Sequence, residues 1–493
     1  MQGLLNTHSS SSRHTLLQSS KFSLSVDHLS TVHVSIDDVL NAIHLMQPHK
    51  VDSARLSSEH LRFSALSIAA PLSALFTAVL RHGYMPKCIR DCTLVPIPKN
   101  NKDPSSSNNY RPIAIASLLS KVLERVILSR YESYFTSSVL QFGFKKGHST
   151  SLCTGLIKNI VSRYIRKGSK VYGCFLDASK AFDLVDHGIL FEVLRSRGLP
   201  TPILHFLLSW YSSQKMCVRW YSCVSHSFSV SNGVRQGSVL SPVLFAVYLD
   251  GLLQKLSQTG VGCYWGAHFV GAVCYADDIA LLAPCSSALR LMLSTCEEFA
   301  LSHGLKFNAD KTQLIRFGLC TSSSCKDHIN FGGIALDFTD SVTHLGHVLS
   351  YNLEDTSDIV RAAKEMTRKA NFVHCVFRFA DLSIRNYLVK QFCLSVYGCT
   401  LWSLSCKNLC IIERALNKIF RRIWNLPPLS HTRIVHCMSN VQSVSNLLYM
   451  RSNCMLSRAL SSLSPLIKYV FTESSQSGYS FTKVSTLLLV IDI

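Results

Sequence analysis

The sequence predicts an α+β fold with a separate helical C-terminal block. Three observations carry this. Apolar runs of strand length, such as Val171–Leu176 and Ile279–Ala283, alternate with segments of helical period. From Asp355 to about Leu426 the pattern is predominantly helical. A chain of 493 residues with 47% hydrophobic and 16% charged residues can bury a large core, which excludes wholesale disorder.

Residues 1–30 are rich in Ser and His without a period and are expected to form a disordered arm. A helical extension follows over residues 31–90. Val39, Leu40, Ile43 and Met46 recur at helical spacing behind Ser35, an expected N-cap, and a second helix covers Ser57–His82. Cys92–Ile97 reads as a strand ended by Pro96, Pro98 and the polar loop Asn100–Asn109. Ala116–Thr136 is an amphipathic helix carrying Leu118, Leu119, Val122, Leu123, Val126 and Ile127, and another helix occupies Leu152–Lys167. After Gly168 comes the apolar strand Val171–Leu176. Phe191–Leu194 and Pro202–Trp210 read as helices, and Lys215–Val230 alternates like a hairpin. Gly262–Leu282 reads as strands around a turn at Asp277–Asp278. The helix Ala288–His303, the strand Leu314–Phe317 and a strand pair near Ile329–Phe338 complete this part. Helices are expected through 355–440, and 441–493 matches no pattern.

The 50 Lys and Arg outnumber 30 Asp and Glu, for a net charge of +20, which implies a polyanionic partner: nucleic acid or an anionic membrane. Leu66–Leu80 is apolar but short for a bilayer and contains Pro71, so nucleic acid is favoured and no membrane is expected. The 19 cysteines are scattered singly and no signal-peptide pattern opens the sequence, which points to small buried hydrophobes in a reducing compartment. Cys320, Cys325 and His328 lack a fourth ligand at a usual zinc spacing, so a loop is expected there.

Asp177 ends one apolar strand, and Asp277 and Asp278 sit between two others. Taken singly, an Asp ending a strand is a turn or cap residue, and paired Asp in a hairpin is turn chemistry. Taken together, three carboxylates at the ends of apolar strands demand neutralisation, and a divalent cation such as Mg²⁺ supplies it through hard oxygen ligands. Two such ions suit an in-line displacement at phosphorus.

The run Phe175-Leu-Asp-Ala-Ser-Lys-Ala-Phe-Asp-Leu-Val-Asp-His187 and the run Tyr275-Ala-Asp-Asp278 resemble two core motifs of reverse transcriptases. The resemblance is nearest to polymerases of non-LTR (LINE-type, jockey-like) retrotransposons. It implies a right-hand polymerase: fingers and palm with an antiparallel sheet over 91–354, then a helical thumb and following segment over 355–440. It also implies an RNA-directed DNA polymerase that uses two Mg²⁺ ions, with Mn²⁺ as an alternative. By this resemblance Asp177, Asp277, Asp278 and the Ala178 carbonyl bind metal.

Further segments resemble the family in order. Leu94-Val-Pro-Ile-Pro-Lys99 and Tyr110-Arg-Pro-Ile-Ala114 imply triphosphate contacts by Lys99 and Arg111, a point charge and a bidentate fork. Gln141-Phe-Gly-Phe-Lys-Lys-Gly-His-Ser-Thr150 resembles the template-contacting segment, with Lys145 and Lys146 on the phosphate chain. Asn232-Gly-Val-Arg-Gln-Gly-Ser-Val-Leu-Ser-Pro242 resembles the loop under the nascent base pair, which gives Gln236 and Gly237 to template and incoming nucleotide. Phe182 stands where the family places a steric gate against the ribose 2′-OH. Lys311, in Gly304-Leu-Lys-Phe-Asn-Ala-Asp-Lys-Thr312, matches the Lys that protonates the leaving pyrophosphate. His344-Leu-Gly-His347 resembles the primer grip, although Tyr or Phe is more usual at His344. Tyr397-Gly-Cys-Thr-Leu-Trp402 resembles the segment after the thumb.

In the thumb, Lys364 and Arg368 on one helix and Arg414 and Lys418 on another are expected to track template–primer phosphates; as plain chemistry they are solvated cations of a helical bundle. The implied partners are an RNA template, a DNA primer, their duplex and dNTPs, and the implied location is nucleus and cytoplasm as a ribonucleoprotein. Two other readings stand beside this one. One is an inactive nucleic-acid-binding relic of a retrotransposon. The other is an RNA-dependent RNA polymerase, to which Asp183, six residues after Asp177, gives some support.

Overall fold

The computed structural model describes residues 32–99, 103–318, 328–403 and 405–476. The expected arm 1–30, Cys320, Cys325 and the end of the chain lie outside them. The fold is α+β, built as two compact units assembled from interleaved stretches of chain.

The first stretch opens on α1 (Ile36–His44), started by a capping box in which the Ser35 hydroxyl accepts from the Asp38 amide and Asp38 accepts from the Ser35 amide. The single helix expected over 57–82 is two. Ser58–Phe63 ends at Ser64, whose hydroxyl donates to the His60 carbonyl and competes with helical continuation, and α2 (Ala65–His82) restarts there. By length and composition alone α2 could cross a membrane, but one face carrying Ala69, Leu72, Phe76 and Leu80 is buried in this unit. β1 (Cys92–Pro98) runs through Pro96 and ends on Pro98. Pro96 lies opposite Pro112 of β2 (Tyr110–Ile115), at a position where neither needs an N–H for the ladder. α3 (Leu118–Arg130) follows, shorter than the expected 116–136, with a 3₁₀ turn at Glu132–Phe135.

α4 (Thr150–Arg166) starts at Ser149, which caps the Leu152 amide, and leads to β3 (Val171–Asp177). Then come α5 (His187–Ser196), α6 (Thr201–Ser213), β4 (Lys215–Trp220) with two short returning strands, and α7 (Ser241–Gln258). β5 (Ala272–Tyr275), β6 (Asp278–Ala283), α8 (Ser286–His303) and β7 (Gln313–Phe317) follow. After them come β8 (His328–Phe331), β9 (Ile334–Thr339), and the hairpin of β10 (Ser341–His344) with β11 (His347–Ser350). The helices α9 (Thr356–Val376), α10 (Leu382–Cys393), α11 (Cys406–Ile423), α12 (Thr432–Ser439), α13 (Val444–Leu460) and α14 (Pro465–Gln476) close the described chain.

The first unit takes the described residues up to Ser138, then 178–254 and 296–307. Its sheet places β1 between β2, antiparallel, and β4, parallel. The second unit takes 139–177, 255–295 and the described residues from 308 onward. Its six-stranded sheet has the order β8-β9-β7-β3-β6-β5, antiparallel except for the β7–β9 pair. β3 is central, which explains its unbroken apolar sequence: Val171, Cys174, Phe175 and Leu176 are all buried. The C-terminal helices share a core of Ile359, Met366, Val389, Trp402, Leu416, Phe420 and Leu448. Residues 441–476 belong to this unit too. Glu473 accepts from Arg163 of α4 at 2.5 Å and from the Trp265 indole at 2.6 Å, and Phe471 packs at Gly155.

Candidate active site

In the second unit, strand register brings two of the three acidic positions together. Asp278 lies opposite Asp177 in the β6–β3 ladder, and opposite Tyr275 in the β6–β5 ladder. The turn is therefore Ala276–Asp277, one residue earlier than the sequence suggested, and Asp278 already belongs to β6. Ala276 sits at φ 58°, in the left-handed region that a residue with a Cβ rarely takes.

The carboxylates are electrostatically uncomfortable. Burial, then the neighbouring Asp277 and Asp177, push the Asp278 carboxyl up to about 6, with Lys311 acting in the opposite direction. Lys311, on the 3₁₀ turn Ala309–Lys311, sets its ammonium 2.8 Å from Asp177 Oδ2. The Asp177 carbonyl accepts from the Asn308 amide, which fixes that turn against the end of β3.

The donor set suits a hard divalent cation: carboxylate oxygens on adjacent strands, one of them destabilised as an anion by burial and its neighbours. Among the described residues no three acidic, His or Cys groups form a ready metal cage. Asp177 carries a cation already, the Lys311 ammonium.

Sequence reasoning missed the residue that supports the turn. Gln141 Oε1 accepts from the Ala276 amide and from the Gly143 amide, each at 2.9 Å, and Gln141 is 1% exposed. Its neighbours pair with β5: the Phe142 amide donates to the Cys274 carbonyl, and the Cys274 amide to the Leu140 carbonyl. Lys145 and Lys146 follow in the loop before α4, half-buried and exposed respectively.

In the first unit, Gln236 donates to Asp183 Oδ1 at 3.0 Å. Burial raises the Asp183 pKa, against the opposing effects of Gln236, Lys180 and Lys99. The Phe182 ring stacks on Phe245 with centroids 4.7 Å apart, and its carbonyl accepts from the Val234 amide. Gly237 is seated on β2 at φ 124°; a Cβ there would lie 2.5 Å from the Ala114 carbonyl oxygen, so only glycine fits. Arg111 is exposed on the same strand, and the Lys99 ammonium donates to the Asn108 carbonyl. Ala178 bridges to Phe307.

Glu124 of α3 is the second residue the sequence reading passed over. Fully buried, it accepts from Ser238 Oγ and the Val239 amide at 2.5 Å, the Leu240 amide at 2.9 Å and Arg235 at 3.2 Å. It thereby holds the loop that carries Gln236 and Gly237. Its signal was an acidic residue among Val122, Leu123 and Val126.

The β10–β11 turn joins two buried histidines of the second unit. Burial, with His347 nearby, pushes the His344 imidazole down to about 3, and its ring lies 4.9 Å from that of Phe175. His347 stacks on Tyr397, whose hydroxyl lies 2.7 Å from the Leu345 carbonyl and 2.8 Å from Thr150 Oγ1. Asp358 is buried, which raises its pKa, but the His347 imidazole 3.9 Å away and hydrogen bonds from Trp402, Arg361 and the Val348 amide prevail and hold it at about 2. The run Tyr397–Trp402 thus folds back onto the His344–His347 turn. Lys364, Arg368, Arg414 and Lys418 are exposed on α9 and α11, and the first two line a groove of about 410 Å³ between those helices. Arg368 also pairs with Glu365.

Residues 97–349 match the family model described as reverse transcriptase (RNA-dependent DNA polymerase). Among similar proteins, the RNA-directed DNA polymerase from mobile element jockey of Drosophila funebris is 25% identical, over 84% of this chain and 46% of that protein. The probable RNA-directed DNA polymerase from transposon BS of Drosophila melanogaster is 28% identical, over 76% of this chain and 42% of that protein. The Pol polyprotein from the type-2 retrotransposable element R2DM of the same fly is 30% identical, over 48% and 22%. Among solved structures, telomerase from Candida albicans in complex with a TWJ fragment of telomeric RNA aligns with a TM-score of 0.41 at 14% identity, over 95% of this chain and 82% of that one. The chain spans less than half the length of these retrotransposon relatives.

Proposed function

This chain belongs to the reverse transcriptase family, and we propose that it is an RNA-directed DNA polymerase of a non-LTR retrotransposon, adding deoxynucleotides to a primer 3′-end. One observation carries the reading: Asp177 and Asp278 face each other across β3 and β6, with Asp277 in the adjoining turn. Asp177, Asp277, Asp278 and the Ala178 carbonyl would hold two Mg²⁺ ions, or Mn²⁺ in their place. When bound, such ions stabilise the attacking 3′-oxygen and the leaving pyrophosphate.

The remaining roles rest on the resemblance and on side chains suited to them. Lys311 exchanges its hold on Asp177 for the leaving group, to which it offers a proton. Phe182, backed by Phe245, gates against the ribose 2′-OH. Gln236 and Gly237 underlie the nascent base pair on a loop held by Glu124. Lys99 and Arg111 grip the triphosphate. Lys145, Lys146, Lys364, Arg368, Arg414 and Lys418 supply cations to the backbones of RNA template, DNA primer and their duplex, where affinity comes mainly from phosphate neutralisation. We place the action in nucleus and cytoplasm, as a ribonucleoprotein.

A second reading, a chain that binds nucleic acid without synthesis, draws support from the Lys311–Asp177 ion pair. Primer extension on an RNA template with dNTPs and Mg²⁺ separates the two. Extension by the wild type and none by the Asp277→Asn, Asp278→Asn double variant is expected. Template–primer binding by both, with extension by neither, would replace the enzyme with the binder.

A further inference from the structure

We propose that Gln141 is a positioning residue for the turn that carries Asp277, and that Gln141 and Gly143 serve this turn rather than the template. The inference rests on the active-site reading above. The backbone states the problem Gln141 solves. Ala276 is 5% exposed and lies at φ 58°, so the turn needs a cause for a disfavoured conformation and a partner for a buried N–H that the β5–β6 ladder does not use.

Gln141 supplies both. Its Oε1 receives two amide hydrogens, from Ala276 and Gly143, which fixes the side-chain assignment because only an oxygen accepts twice. Its Nε2 lies 3.5 Å from the Ala276 carbonyl, so both backbone polar groups of Ala276 face one side chain. The backbone of Leu140 and Phe142 docks on the edge of β5 through Cys274, which holds Gln141 rigid beside the turn. Gly143 completes the fit, since a Cβ there would stand 2.4 Å from the Ala276 nitrogen. In the run Gln141-Phe-Gly143 both polar and small positions therefore have their reason in the turn. Lys145 and Lys146 remain for the template. A turn one step away from this conformation would move Asp277 relative to the pair Asp177–Asp278, and displacements near 1 Å cost on the order of 100-fold in rate.

The test uses the full chain and Gln141→Met, which keeps length and volume but not the amide. Expected are a fall of about 10- to 100-fold in kcat for primer extension, and weaker Mn²⁺ binding by electron paramagnetic resonance without substrates. The template–primer Kd and the dNTP KM should stay near wild type. Adding Ala276→Gly should recover part of the kcat, because glycine takes φ 58° without a Cβ penalty. Wild-type kcat and Mn²⁺ affinity in a folded Gln141→Met chain would overturn the proposal. A loss of template–primer affinity at unchanged kcat would also overturn it, in favour of a template contact. Should Gln141→Met melt early, absence of any rescue by Ala276→Gly marks a merely structural role and counts against the proposal. Asp277→Asn in parallel tests the underlying reading: if that variant polymerises like wild type, the reading itself fails, whatever Gln141 does.

Discussion

Lys311 and Asp177 form an ion pair at 2.8 Å, so one of the candidate metal ligands is neutralised by the chain's own ammonium. Half-exposed, the pair is weak, and a divalent cation at Asp177 would have to compete with it. Replacing Lys311 by Met is expected to tighten Mn²⁺ binding by about two- to fivefold, the equivalent of an exposed ion pair. Primer extension should nevertheless fall, because the proton donor is gone. Unchanged metal affinity in calorimetry would remove the competition.

Asp278 makes the metal-free chain pH-dependent. Its folded pKa of about 6 lies above the ordinary 3.8, so the folded state binds the proton more tightly than the unfolded state. The resulting stability is complete below about pH 4 and is lost as pH rises through 6. Asp278→Asn should stabilise the fold in EDTA at pH 7.5 by roughly 1–2 kcal/mol after screening, seen as a higher melting temperature. It should also flatten stability between pH 4 and 6. An equal or lower melting temperature would contradict the origin assigned to the shift.

His344 works with the opposite sign. Its folded pKa of about 3 lies below the ordinary 6.5, so stability is complete above 6.5 and declines as pH falls toward 3. The slope approaches about 1.4 kcal/mol per pH unit in that window. His344→Phe, beside Phe175, is expected to flatten denaturant stability between pH 6.5 and 4.5. An unchanged slope would assign it to other groups.

Phe182→Ala should reduce discrimination against ribonucleotides, read as the ratio of dNTP to NTP kcat/KM. A ratio equal to wild type would withdraw the gate. NTP use exceeding dNTP use by the wild type would instead favour RNA synthesis, for which Asp183 would be released from Gln236.

Glu124→Ala leaves Arg235 buried without its carboxylate and three donors without their acceptor. A loss of about 3–5 kcal/mol in urea denaturation is expected. A loss under about 1 kcal/mol would mean that the loop carrying Gln236 holds itself.

Much of the candidate site was legible because its acidic residues border short, buried apolar runs: β3 ends on Asp177 and β6 begins on Asp278. The turn was misplaced by one residue because alanine gives no local signal for φ 58°; that conformation is supported by Gln141, more than a hundred residues earlier. Glu124 was passed over for a similar reason. Its partners, Arg235 and Ser238–Leu240, are remote in sequence, and only the fold shows them. The helix break at Ser64 turned on one hydroxyl choosing a backbone carbonyl. Helices α13 and α14 carry no recognisable motif, yet Phe471 is buried against α4 and Glu473 pairs with its Arg163.

The interleaving of the two units has a consequence for biosynthesis. Neither is a continuous stretch of chain: the first recruits residues up to 307, and the second joins α4 and β3 to strands and helices translated far later. A nascent polypeptide cannot therefore finish the first unit before parts of the second have been made. β3 emerges without β6 and β7, the two strands that flank it, and exposes a row of buried side chains until both have left the ribosome. Such long-range strand pairing is slow and leaves sticky edges in the interval. Folding of this chain should depend on translation speed and on holding chaperones, with Glu473 among the last residues to lock its ion pair with Arg163.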